Sequence, residues 1–192
     1  MPPEPTDEEL IKMIRNGNVR AMDTLIERYQ KPVFNLALRM MGNRHFAEDI
    51  TQEVLIKVIK SLPSYKPKNF KSYVYKITNN VIYDKMRTQQ PSMSIDAEIT
   101  ISGQEVTELR NIIPDMKNPS PEQSLIRTEV EEIINKILMQ LPPEQRQVFI
   151  MREFSNMSFR EIADVCGCSM NTVLSRMQYS IKKLKKLLDG KI

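Results

Sequence analysis

Three groups of side chains have types and spacings that could do chemistry. Asn171, Ser175, Tyr179, Lys182 and Lys186 recur at three- and four-residue steps, with Thr172, Arg176 and Lys183 flanking them. Amide and guanidinium groups address base edges, and hydroxyls and ammonium groups address phosphates. Ser72, Tyr75, Asn79, Tyr83 and Arg87 form a second series, with Lys76 beside it. Rings set between cations and amides suit unpaired bases, which stack on the rings while cations hold the backbone. On residue type alone, these tyrosines serve equally well as half-buried rims of a core. Asp49, Gln52 and Glu53 form the third group. At i, i+3 and i+4 they share one helical face, which by itself reads as a solvated flank. With Glu48 they offer carboxylates for a metal-dependent nuclease. His45 is the lone histidine, however, and neither a second acidic cluster nor a phosphate loop or nucleophile motif accompanies them. The expected chemistry is recognition, with no cofactor, no metal and no catalytic residue.

The elements that must position these groups are helices. Ser158 and Glu161 form a capping box that starts a short helix with Ile162, Ala163 and Val165 on its apolar side. Gly167 can take the positive φ that ends it, and Ser169 can cap the next helix. There Val173, Met177, Ile181, Leu184 and Leu188 form one stripe. A short helix, a glycine turn and an amphipathic helix with an amide, hydroxyl and cation face is the sequence form of a helix-turn-helix. A surface hairpin with a solvated lysine face is the plainer alternative. Phe70 to Arg87 reads as a helix buried along Phe70, Val74, Ile77 and Val81, and Arg44 to Ser61 as one buried along Phe46, Ile50, Val54 and Val58.

Upstream, Thr6 and Glu9 make another capping box, for a helix with Leu10, Met13 and Ile14 apolar. Ala21, Met22, Leu25, Ile26 and Tyr29 continue at helical spacing to Pro32, which is expected to kink the helix or start a new one. From Leu125 the periodicity returns through Val130, Ile133, Ile134, Ile137 and Leu138. A helix over Glu144 to Glu153 follows Leu141-Pro142-Pro143. The fold class expected is all-α: two small helical domains joined by a flexible acidic linker. The expected divisions are a disordered 1–5, a first domain over 6–90, the linker over 91–124 and a second domain over 125–192.

Charge supports that division. The net charge of +4 is too small to argue nucleic-acid binding, but it is segregated. Residues 169–192 hold six Lys and Arg against one acid, and residues 88–131 hold three against eight acids. The two cysteines, Cys166 and Cys168, sit too close together for an easy disulfide and lack partners for a zinc site. Such usage fits a reducing cytoplasm. The acidic, proline-containing N-terminus is unlike a signal peptide, and no apolar run reaches the length of a membrane span.

Three stretches resemble the bacterial extracytoplasmic-function (ECF) sigma factors of the sigma-70 family, in the family's order and spacing. Ala47-Glu48-Asp49-Ile50-Thr51-Gln52-Glu53 is similar to the AEDxxQE signature of sigma domain 2. Phe70, Tyr75, Ile77, Asn80, Asp84 and Arg87 match FxxWLYRIAxNxxxDxxR, with Lys76 for the usual Arg. Leu141 to Arg146, Ser158 to Ala163 and Thr172 to Arg176 match sigma domain 4. The resemblance implies a factor that binds core RNA polymerase, directs it to −35 and −10 promoter elements and promotes melting. Asp49, Gln52 and Glu53 would meet the clamp helices of the largest polymerase subunit. Domain 4 would sit on the flap of the second-largest subunit. Arg160, Ser169, Asn171, Thr172, Ser175, Arg176 and Tyr179 would read the −35 duplex, with Lys182, Lys183 and Lys186 on phosphates. Tyr73, Tyr75, Lys76, Asn79, Asn80, Tyr83 and Arg87 would hold the single-stranded −10 element, with Lys66, Lys68 and Lys71 on its backbone. The family further implies an anti-sigma factor as partner, no membrane insertion and a monomer in isolation.

Two departures matter. The family's Trp is Tyr73 here, and its GTVKSR is Asn171-Thr172-Val173-Leu174-Ser175-Arg176, so a basic contact is replaced by Leu174. A stand-alone helix-turn-helix regulator is the competing reading, but it leaves the Asp49 face and the tyrosine helix without a role.

Overall fold

The structure, a computed structural model, describes residues 4–66, 69–89 and 133–189. The regular elements among the described residues are all helices, with no strand among them. Helices α1 (Asp7–Arg15), α2 (Val19–Met41), α3 (Arg44–Ser61) and α4 (Phe70–Gln89) lie in one compact unit. Helices α5 (Pro143–Glu153) and α7 (Met170–Asp189), with the greater part of α6 (Phe159–Cys166), lie in a second. Lys68, Val130 and the expected linker lie outside the described residues, as does the side chain of Leu188.

The first unit is organised around α2, which packs against α1, α3 and α4. Its core is Leu25, Tyr29, Val33, Leu36, Ala37 and Met40 from α2, facing Ala47, Ile50, Val54 and Val58 from α3. Pro32 does not start a new helix: α2 runs through it from Val19 to Met41. Proline has no N–H to give the carbonyl one turn back, yet the apolar stripe continues past it unbroken and packing holds the helix together. On α1 the Thr6–Glu9 capping box forms, with the Thr6 N–H donating to Glu9 Oε2 at 2.7 Å. Leu10 and Ile11 are the buried pair on α1, and Met13, expected inside, is exposed.

Polar clasps join these helices. Arg28 donates to Asp7 Oδ1 at 2.6 Å and to the Pro5 carbonyl at 2.8 Å, and the Tyr29 hydroxyl also donates to Asp7. Burial and the Asp7 carboxylate together push the Tyr29 hydroxyl well above the ordinary tyrosine range. Arg15 reaches from the end of α1 to the Leu62 carbonyl at 2.9 Å and also donates to the Tyr65 carbonyl.

In the second unit α5 and α7 pack together. Val148, Phe149, Ile150 and Met151 on α5 and Val173, Met177, Ile181 and Leu184 on α7 are all buried. Ser180 is buried and donates to the Gln145 carbonyl at 2.8 Å, pinning one helix to the other.

Candidate nucleic-acid interface

The hairpin of α6 and α7 is built by its caps. The Ser158 N–H donates to Glu161 Oε2 at 2.8 Å, while Ser158 Oγ accepts from the Glu161 N–H at 3.3 Å. Gly167 ends α6 at φ 65°, in the left-handed region. Ser169 then accepts from the Thr172 N–H at 3.1 Å, and its hydroxyl lies 2.9 Å from Thr172 Oγ1. Both hydroxyls expected on DNA are therefore already shared within the cap. Asn171, Lys182, Lys183 and Lys186 are exposed, as is Arg160 on α6. Leu174, Ser175 and Tyr179 are half-buried along the same side. Arg176 is also half-buried, and its guanidinium donates back to Cys168 Sγ at 3.8 Å. It braces the turn to α7.

Asn69, just ahead of helix α4, caps it: its side chain accepts from the Ser72 N–H at 3.0 Å. This cap lacked a flanking capping box and was not read from the sequence. The buried face of α4 is wider than three apolar steps predict. It takes in Phe70, Val74, Tyr75, Thr78, Val81 and Ile82, because α4 packs against both α2 and α3. Tyr75, expected on the outer face, is a correction: it is 3% exposed, with Lys71 Nζ 5.9 Å from its ring centre. Ile77, expected inside, is half-exposed. The outward stripe is instead Tyr73, Lys76, Asn80, Tyr83 and Arg87, with Asn79 beside it. Asp84 shares that face and pairs with Arg87 at 2.6 Å. Tyr73 edges an aromatic cluster, its ring centre 4.9 Å from Tyr65 and 6.2 Å from Phe70. Tyr29 and Tyr65 meet Phe70 edge-on at 5.4 and 5.1 Å. One side of Tyr73 is thus fixed by rings while the other faces outward.

On α3, Gln52 is exposed and Asp49 and Glu53 are half-exposed. His45 Nδ1 lies 3.6 Å from Asp49, and Lys57 lies 2.7 Å from Glu53. Glu48 pairs with Arg44 at 2.8 Å. The carboxylates thus lie in a ladder of short pairs along one helix. Among the described residues no three His, Cys, Asp or Glu side chains gather as metal ligands.

Comparison with known proteins gives the family. The model of Sigma-70 region 2 matches residues 25–91, and that of Sigma-70, region 4 matches residues 131–184. The chain is 30% identical over 190 residues to the ECF RNA polymerase sigma factor SigE of Mycolicibacterium smegmatis, covering 96% of this chain and 70% of that one. This chain belongs to the ECF sigma factors. It acts in transcription initiation as a sigma subunit of RNA polymerase, and its family is not enzymatic. The RNA polymerase sigma-H factor of Pseudomonas aeruginosa is 28% identical over 186 residues, with 95% of this chain and 94% of that one covered. SigW of Bacillus subtilis is 28% identical over 180 residues, covering 93% and 94%. In fold, this sigma factor is similar to CnrH solved with the cytosolic domain of CnrY, at TM-score 0.69, 21% identity and coverage of 97% and 99%. It is similar also to RpoE of Bartonella quintana solved with the anti-sigma factor NepR, at TM-score 0.63, 22% identity and coverage of 89% and 98%.

Within this sigma factor, the region 2 match contains α3 and α4, and the region 4 match contains the α6–α7 hairpin up to Lys183 and Leu184. The structure gathers the outward residues of α4 onto one face, with Tyr75 removed from it. Lys66 is exposed just ahead of α4, and Lys71 is half-buried in its first turn. No helix among the described residues is long and apolar enough to cross a membrane.

Proposed function

We propose that this sigma factor reads its promoter at two points. The outward face of α7 and Arg160 address the −35 duplex. The stripe of Tyr73, Lys76, Asn80, Tyr83 and Arg87 on α4, with Asn79, Lys66 and Lys71 at its margins, takes the single-stranded −10 element. Asp49, Gln52 and Glu53 meet the clamp helices of the largest polymerase subunit, and the second domain rests on the flap of the second-largest. The working divisions are 6–90 for the first domain and 125–192 for the second, with 91–124 between them. The protein works in the cytoplasm, as a monomer until it joins the polymerase. An anti-sigma factor is inferred as a further partner, since CnrH and RpoE were solved with CnrY and NepR.

The single observation that carries this reading is the outward α4 stripe. Two half-exposed tyrosines set among an amide and two cations on the outer side of α4 suit the stacking of unpaired bases, which reading duplex alone does not require. Permanganate footprinting of promoter complexes tests it. With Asn80→Ala or Tyr83→Ala, duplex binding is expected to persist while reactivity of −10 thymines falls several-fold. Tyr75→Ala should instead lower folding stability by about 3–5 kcal/mol, as for other large core truncations. Normal melting with both Asn80 and Tyr83 replaced would overturn the assignment.

A further inference from the structure

The start of α7 carries two parallel strips that differ in chemistry. Asn171 and Ser175, four residues apart, form a polar strip. Met170 and Leu174, also four apart, form an apolar strip beside it, with Met170 47% exposed and Leu174 partly exposed. These are the first turns of the helix, the part of a recognition helix that approaches base edges. The cations Lys182, Lys183 and Lys186 come later along it. An apolar strip there has one natural counterpart in a major groove, the 5-methyl group of thymine, which is the groove's only methyl.

We propose that Leu174, supported by Met170, is a specificity-determining residue that reads thymine methyl groups in the −35 element. The inference rests on the placement of α7 in the duplex major groove and adds which base it favours and by what contact. A leucine there offers no hydrogen bond and no charge, so discrimination comes from burial of the methyl group alone. The consequence is preference for thymine over cytosine and over uracil at the contacted position, with little salt dependence from that contact.

Uracil scanning tests it. Holoenzyme assembled from the full chain and core RNA polymerase selects duplexes from a library randomised across the −35 region. Each thymine of the selected sequence is then replaced singly by deoxyuridine, which removes the methyl and keeps every hydrogen-bonding atom. Wild-type holoenzyme is expected to bind about fourfold more weakly at one or two positions, the value of one buried methyl-sized group. Leu174→Met should keep that penalty, whereas Leu174→Ala and Leu174→Lys should erase it. The lysine variant keeps a long side chain should the alanine variant lose its fold. If the wild type ignores uracil everywhere while Asn171→Ala weakens binding, α7 reads the duplex but Leu174 does not. If Asn171→Ala and Ser175→Ala also leave affinity and the selected sequence unchanged, the placement of α7 fails and this inference falls with it.

Discussion

Asp49 and Glu53 each have a cationic or titratable neighbour one turn away on their own helix, His45 and Lys57. Exposed pairs of this kind are worth about 0.3–0.5 kcal/mol, so removing them barely touches the fold. The double change Asp49→Ala with Glu53→Ala should therefore leave the melting temperature near its starting value while weakening capture of core polymerase. Co-purification unchanged by the double variant would remove α3 from the interface. The caps were legible at this scale, because a hydroxyl and a glutamate three residues apart state their own geometry: Thr6 with Glu9 and Ser158 with Glu161 both form. Tyr75 was not legible. A ring on the flank of a helical wheel turns inward or outward according to what lies beside the helix, and the helix's own sequence does not record its neighbours. Tyr29 bears a different test. Its hydroxyl loses its proton less readily in the folded state than the ordinary value of 10.0, so the unfolded chain ionises first. Its contribution to stability is complete below pH 10 and declines as pH rises above it. Chemical denaturation across that range should show the decline, and Tyr29→Phe should flatten it.

At the scale of elements, helix types and most turns followed from periodicity, and the exceptions share a cause. Helix α4 buries a broad arc because two helices cover it, and α2 continues through Pro32 because three helices hold it. Local pattern expects a single partner and a single stripe. The hairpin of α6 and α7 followed its sequence closely, since its turn depends on one residue. Gly167 stands at φ 65° with nothing within 4 Å of the place where a Cβ would be. A side chain there meets no neighbour, only its own backbone, and the left-handed conformation costs about 1–2 kcal/mol. Gly167→Ala should lower stability by about that amount and Gly167→Asn by less, both measured by denaturant titration of the full chain. Equal stability of all three would mean that the turn can re-form in another conformation.

For the molecule as a whole, segregated charge says more than the total of +4. Lys182, Lys183 and Lys186 are exposed along the C-terminal half of α7, on the −35 side of the proposed reader. Each phosphate they neutralise releases counterion and contributes about 0.9 to the slope of log affinity against log salt. Replacing all three with alanine should reduce that slope by about 2–3 in holoenzyme binding, with the preferred promoter sequence unchanged. An altered preference would make them base readers. The two-part plan was legible because the periodicity lapses between the two helical series. The family matches at residues 25–91 and 131–184 fall on either side of that lapse.

The clasp between Arg15 and the carbonyls of Leu62 and Tyr65 extends the reach of α1 beyond its own packing. These carbonyls lie in the chain that leads into α4, next to Lys66 and to the ring on which Tyr73 leans. Fixing these carbonyls during folding settles their entropy in advance, which on the proposed reading leaves less for an unpaired strand to organise. On the proposed −10 reading, Arg15→Ala should shorten the lifetime of an opened promoter complex, although among the described residues the Arg15 side chain hydrogen-bonds only to these carbonyls.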